Sequence, residues 1–402
     1  MTAQAALQLL EIADMGARGE GIALVDDKPV FIAGTLKGES VRALIEGNRG
    51  RLEAVVSASP ERVEPGCKHF GSCGGCQLQH WDRQGYRQWK RQLLVTALER
   101  AGIAADVAPL IDAEGAGRRR ATLHGRREGA GFNGLRSHEV HDLDQCPVLV
   151  PELAEAADIT RACYRALGDC DVSLTATDTG IDVAIRAKAR GAYKPLTNIA
   201  MRYKLARLAL NGEDIIINRP PEVRMGTAMV RLPAGSFLQA TAAAEEIIGA
   251  EIVTACKGAK RVADLFCGVG PFALRLAATA KTFAVDSDRQ AVAACDAALR
   301  GTPGLKIMGT ETRDLMRDPL VPMELKPFDA VVLDPPRAGA EAQARELAQS
   351  KVKLVVMVSC DPVSFARDAA ILIAGGFRLE KVTPIDQFIW SAHLETVAVF
   401  RR

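Results

Sequence analysis

RVADLFCGVGPFALRLAATAKTFAVD, residues 261–286, decides the fold. RVADLF and KTFAVD are apolar runs of strand length, and PFALRLAATA between them has helical composition. Gly268 and Gly270 permit a tight turn after the first strand and close approach of a ligand to the backbone. Pro271 suits a first helical turn. The alternation continues downstream. LKIM, DAVVLD and KLVVMVS read as strands, and DRQAVAACDAALR and EAQARELAQS read as helices. Strand-helix alternation of this length predicts a doubly wound α/β domain, drawn here as 241–402.

The ligand of such a sheet sits at the carboxyl ends of its strands. Asp286 ends the second strand, about where an acid grips ribose hydroxyls. A glycine pair with an acid fits NAD, other nucleotides or S-adenosylmethionine. The dinucleotide pattern G-x-G-x-x-G breaks at Ala273, which favours S-adenosylmethionine. Two more motifs follow later strands. In Asp334-Pro335-Pro336-Arg337 the prolines hold a rigid turn that fixes the carboxylate, although a plain strand-ending turn reads the same. In Ser359-Cys360-Asp361-Pro362 the thiol stands just before a helix start, where the helix terminus lowers thiol pKa and favours a nucleophile. A lone cysteine at that place is otherwise buried filler.

Upstream, GIALVDD, PVFIAGTL, SVRALIEG and RLEAVVSA are short alternating runs that predict a small β-barrel over 1–62. SPERVEPG then reads as a linker. Residues 63–240 are a central, mainly β unit with helices over 83–101 and near 152–167. Within it lies Cys67-x5-Cys73-x2-Cys76, and Cys146 in DLDQCP is the best fourth ligand. Four thiolates suit zinc or a [4Fe–4S] cluster; a single CxxC pair with wide flanking gaps favours the cluster.

The whole chain has 402 residues, 48% hydrophobic and 25% charged, with net charge +2. That composition excludes a disordered or collagen-like chain. No run approaches the ~20 apolar residues of a bilayer span, and no signal peptide is expected. Ten cysteines are too dilute for a secreted disulfide scaffold, so a reducing, cytoplasmic setting is expected. Net charge names no partner, but two basic groups stand out. Arg118, Arg119, Arg120, Arg126 and Arg127 form one; Arg186, Lys188, Arg190, Lys194, Arg202, Lys204 and Arg207 form a looser one. Either meets phosphates or is a solvated charged face.

With these motifs assembled, the chain resembles the S-adenosylmethionine-dependent RNA uracil-C5 methyltransferases, most closely the iron–sulfur branch acting on 23S ribosomal RNA. SFLQATAAAEE, DLFCGVG, LDPPR, VSCDPVSFARD and HLETVAVF match that family's motifs in order, and CKHFGSCGGCQLQH with Cys146 is similar to its cluster site. The resemblance implies a Rossmann-like class I methyltransferase domain and an N-terminal OB-type, TRAM-like RNA-binding barrel. It also implies a [4Fe–4S] cluster on Cys67, Cys73, Cys76 and Cys146. It further implies that Gln239, Phe266, Gly268, Gly270, Asp286 and Asp334 face S-adenosylmethionine, that Cys360 is the nucleophile and that Glu395 is the base. Pro271 departs from an expected Asn, and Asp286 from the commoner Glu. RNA is the implied partner, ribosomal rather than transfer RNA, with a monomeric enzyme expected. Uridine transfer RNA, RNA cytosine-C5 methylation and an RNA-binding scaffold with a degenerate methyltransferase fold are the alternatives.

Overall fold

The protein is described by a computed structural model covering residues 6–135, 137–189, 191 and 193–402. Arg190, from the looser basic group, lies outside the described residues.

The C-terminal sheet has eight strands. Their order is Ile307–Thr312, Lys281–Asp286, Arg261–Leu265, Ala330–Leu333, Leu354–Ser359, Glu395–Arg401, Arg378–Asp386 and Ile111–Asp112. The first five run parallel. Glu395–Arg401 is antiparallel to both of its neighbours. A parallel strand covered on both faces reads as a continuous apolar run; AVVL and LVVMVS are accordingly buried at every position. Chain direction across the sheet reverses between Arg261–Leu265 and Ala330–Leu333, which opens a crevice at their carboxyl ends. Two of the flanking helices start on aspartate caps: Asp288 accepts from Gln290 and Ala291, and Asp361 from Val363 and Ser364.

Two upstream stretches pack in this C-terminal unit. Helix Arg83–Arg100 buries Leu94 and Leu98 against Phe365, Phe377 and Val382, and strand Ile111–Asp112 extends the sheet edge. The hairpin Glu222–Met225 with Ala228–Arg231 buries Val223, Met225 and Val230 against Val269, Ala291 and Cys295.

The central sheet runs Glu213–Ile217, Arg207–Leu210, Gly180–Ala187, Cys170–Thr177, Arg120–Arg126, Gly129–Gly131. It is covered by helix Ala156–Leu167 and by a helix not expected from sequence, Tyr193–Arg202. The N-terminal sheet closes on itself. One continuous segment supplies both edges: Ala6–Glu11 pairs with Ser40–Glu46, and its continuation Asp14–Met15 pairs with Glu20–Val25. The barrel exit is pinned by buried Glu39, which accepts from Leu36 N (2.8 Å), Ser59 N (3.2 Å) and Arg62 Nε (2.5 Å). Burial opposes its ionisation, yet these donors hold its carboxyl below the usual range.

No described helix is long and apolar enough to cross a membrane.

Candidate functional site

The glycine turn after Arg261–Leu265 adopts left-handed backbone at Phe266 (φ 65°), Gly268 (φ 51°) and Gly270 (φ 92°). A Cβ on Gly270 would lie 2.5 Å from Cys295 Sγ, so only glycine fits there, whereas the space beside Gly268 is open. Asp286 fastens the turn by accepting from Gly268 N (2.9 Å) and also accepts from Asp288 N (2.8 Å). Pro271 contributes its carbonyl, which accepts from Arg275 Nη1 (2.6 Å).

Three carboxylates line this end of the sheet. Asp264 is fully buried, and burial, then Asp334 and Asp286, push its carboxyl well up. Neither of its oxygens meets a donor at hydrogen-bonding geometry among the described residues. Desolvation pushes Asp334 up to about 7, opposed by Gln239 and helped by Asp286. Gln239 Nε2 donates to Asp334 Oδ2 at 3.1 Å. Mutually repelling acids beside an open glycine cradle fit a ligand that carries positive charge, as a sulfonium does.

Cys360 follows Leu354–Ser359 directly, and the Ser359–Thr396 register sets it beside Glu395 on the neighbouring antiparallel strand. The pair sense each other: burial, then the Glu395 charge, push the Cys360 thiol up to about 11, while Arg337 pulls it down. The expected lowering by the helix terminus is thus overturned, because desolvation at the strand end outweighs it. Glu395 is buried, which with the Asp334 charge raises it to about 8. Arg337 Nη2 lies 2.7 Å from the His393 ring, which must be neutral to accept.

One residue here had no signal in sequence. Gln387 joins Gln239 and Glu395: its Nε2 lies 2.7 Å from Gln239 Oε1 and 2.6 Å from Glu395 Oε2. Phe237, two residues before Gln239, was likewise passed over; it is 65% exposed with the Arg120 guanidinium over its ring.

Cys67, Cys73, Cys76 and Cys146 line a single pocket with Arg118, His69 and Phe70. Burial raises Cys73, Cys76 and Cys146, and neighbouring sulfurs raise them further. Among the described residues no three His, Cys, Asp or Glu side chains converge as ligands of one ion. Just after Cys76, Gln77 N and Leu78 N both donate to Trp390 O (2.7 and 3.1 Å), which ties this segment to the loop before strand Glu395–Arg401.

Three members of the tighter arginine cluster are engaged within the protein. Arg119 is buried on Glu245, Arg126 pairs with Asp171, and Arg118 reaches Ile389 O. From the looser group, Arg207 is buried on Asp182. Arg119 and Arg207, buried and ion-paired, have no face left for RNA. Trp81 is buried beside Trp89.

Residues 196–402 match the family profile described as tRNA (Uracil-5-)-methyltransferase. An RNA methyltransferase of Brucella suis biovar 1 (strain 1330) is 46% identical, the match spanning 98% of this chain and 97% of that one. The chain belongs to the S-adenosylmethionine-dependent RNA uracil-C5 methyltransferases. Within this family, the 23S rRNA (uracil(1939)-C(5))-methyltransferase RlmD of Pseudomonas entomophila (strain L48) is 33% identical over 98% of this chain and 93% of its own. The Pyrococcus abyssi tRNA (uracil-54, C5)-methyltransferase, solved with S-adenosyl-L-homocysteine, shares the fold. Its TM-score is 0.77 at 21% identity, covering 98% of this chain and 100% of that one. The C-terminal sheet is therefore the class I methyltransferase fold of an RNA uracil-5-methyltransferase.

Proposed function

We propose that this methyltransferase modifies C5 of a uridine in 23S ribosomal RNA through a covalent adduct on Cys360. The observation that carries this reading is the strand register that sets Cys360 beside Glu395, at the crevice holding the glycine turn.

Uracil C5 is too weak a carbon nucleophile to be methylated unaided. Cys360 gives up its proton to solvent water and its sulfur bonds C6; the C5=C6 pair shifts to C4=C5 and the C4=O pair moves onto the C4 oxygen as an enolate, making C5 nucleophilic. Arg337 favours the thiolate. S-adenosylmethionine, when bound, supplies the methyl group that C5 takes. Glu395 then accepts the C5 proton; the released pair re-forms C5=C6 and the C6–sulfur bond breaks, returning the thiolate. A base near 8 in the RNA-free enzyme is matched to proton removal close to neutrality. Gln239, Phe266, Gly268, Gly270, Asp286 and Asp334 would hold the methyl donor.

The four-cysteine pocket fits a [4Fe–4S] cluster by its donor set. A single zinc needs its sulfurs at about 2.3 Å from one point, a convergence that polynuclear clusters do not require. We further assign the closed N-terminal sheet as an OB-type, TRAM-like barrel over 1–62. With a central unit over 63–240 and a methyltransferase unit over 241–402, it completes the chain. Its strand order and the alternating burial within Lys28–Ala33 and Ser40–Glu46 support that reading. The barrel would hold RNA around a target that is flipped out or unpaired. Ten free cysteines support a cytoplasmic location.

Ribosomal RNA is favoured by the full-length relative from Pseudomonas entomophila. Transfer RNA is the second reading, favoured by the description of the matching family profile. Mapping 5-methyluridine in both RNAs from cells with and without the gene decides between them. Loss of one 23S site is expected. Loss from transfer RNA alone supports the second reading, and loss of 5-methylcytidine instead refutes both.

A further inference from the structure

Gln387 is buried, 1% exposed, directly after strand Arg378–Asp386. Its Oε1 accepts the Ala240 backbone N–H at 2.7 Å. A backbone N–H can only donate, so this contact settles which way the amide faces. The two Nε2 hydrogens are then directed at Gln239 Oε1 (2.7 Å) and Glu395 Oε2 (2.6 Å). Because Gln239 must present oxygen to Gln387, it presents nitrogen to Asp334 Oδ2 (3.1 Å). One backbone N–H therefore orients two amides in series, and each amide donates to one carboxylate.

We infer that Gln387 is a positioning residue: it clamps the Glu395 carboxylate and fixes the Gln239 amide so that proton removal from C5 proceeds without reorganisation. This rests on the proposed mechanism. Glu395 Oε2 is occupied as a hydrogen-bond acceptor, which leaves Oε1 to take the proton. The backbone beneath the clamp is itself fixed. Asp386 accepts from buried Lys90 (2.5 Å), from Tyr86 Oη (2.6 Å) and from Phe388 N (2.9 Å). Preorganised donors of this kind lose no free energy to rearrangement during reaction. A glutamine needed only for packing would be replaceable by methionine, which has the same length and no donors. Both of its donors instead meet groups of the reaction centre. Its hydrogen bond also favours the ionised form of Glu395 against burial.

The test uses full-length Gln387→Met and Gln387→Glu enzymes beside wild type. Gln387→Glu keeps an acceptor for Ala240 but, even when protonated, has one hydrogen to donate where the amide has two, so it cannot hold Gln239 and Glu395 together and covers the case in which Gln387→Met fails to fold. Both variants should still capture 5-fluorouridine RNA through Cys360, since addition precedes proton removal. On ordinary uridine RNA they should accumulate the methylated covalent adduct, with kcat down about 100-fold. The acidic limb of the kcat profile should move about one pH unit or more to higher pH, because Glu395 loses a donor to its charged form. A comparable loss of kcat with no adduct on ordinary RNA and an unmoved limb would overturn the inference while leaving the mechanism intact. Failure of wild type itself to capture 5-fluorouridine RNA would overturn the mechanism, and the inference with it.

Discussion

In the RNA-free protein the Cys360 thiol is held in its protonated form. Burial and the adjacent Glu395 push it up to about 11, with Arg337 opposing. Only the thiolate alkylates, so iodoacetamide should label Cys360 of RNA-free enzyme slowly at pH 8. The rate should rise about tenfold per pH unit toward 11. Glu395→Gln removes the like charge, lowers the thiol pKa and should accelerate labelling at pH 8; peptide mass spectrometry reads both. Fast labelling at pH 7 would contradict the assigned environment. At this scale much was legible. Cys360, Glu395, Gln239 and Asp334 sit at motif positions and meet at one end of the sheet. Gln387 was not legible, because a glutamine carries no spacing signature and its partner Gln239 lies 148 positions away. The thiol pKa was misjudged because a helix terminus is visible in sequence and burial is not.

Helix Arg83–Arg100 shows how elements far apart in sequence fix the site. Lys90 and Tyr86 reach fully buried Asp386, next to Gln387. Lys90→Met leaves a buried carboxylate without its cation, a loss of roughly 3–5 kcal/mol. Thermal melting should fall by roughly 5 °C, and Asp386→Asn in the same chain should restore part of it. An unchanged melting temperature would mean that the pair contributes nothing. The cysteine pocket is the second such element. Purified without oxygen, the protein should carry about four irons per chain and absorb broadly in the visible, and Cys146→Ala should lose both. One zinc per chain would refute the cluster. The apolar runs of the parallel strands were readable because both faces are buried. The helix Tyr193–Arg202 and the destination of hairpin 222–231 were not. Their apolar faces answer to partners distant in sequence, such as Ala291 and Cys295 for the hairpin.

At the scale of the molecule, the described residues form an N-terminal sheet, a central sheet, the methyltransferase sheet and the two-stranded hairpin 222–231. The change of texture between the stretches before and after about residue 245 was readable along the chain. Their interlocking was not, since strand Ile111–Asp112 joins a sheet whose other strands begin at Arg261. Charge clusters misled for a related reason. Sequence shows Arg119, Arg126 and Arg207 but not the carboxylates that neutralise them. The proposed mechanism turns on a single event at one sulfur. Incubating the full chain with S-adenosylmethionine and 5-fluorouridine-substituted 23S RNA, digesting with protease and nuclease, and sequencing the cross-linked peptide by mass spectrometry tests that event most directly. The account predicts a methylated fluorouridine attached to the peptide containing VSCDP, at Cys360. An adduct on another cysteine, or methylated RNA with no adduct at all, would contradict it.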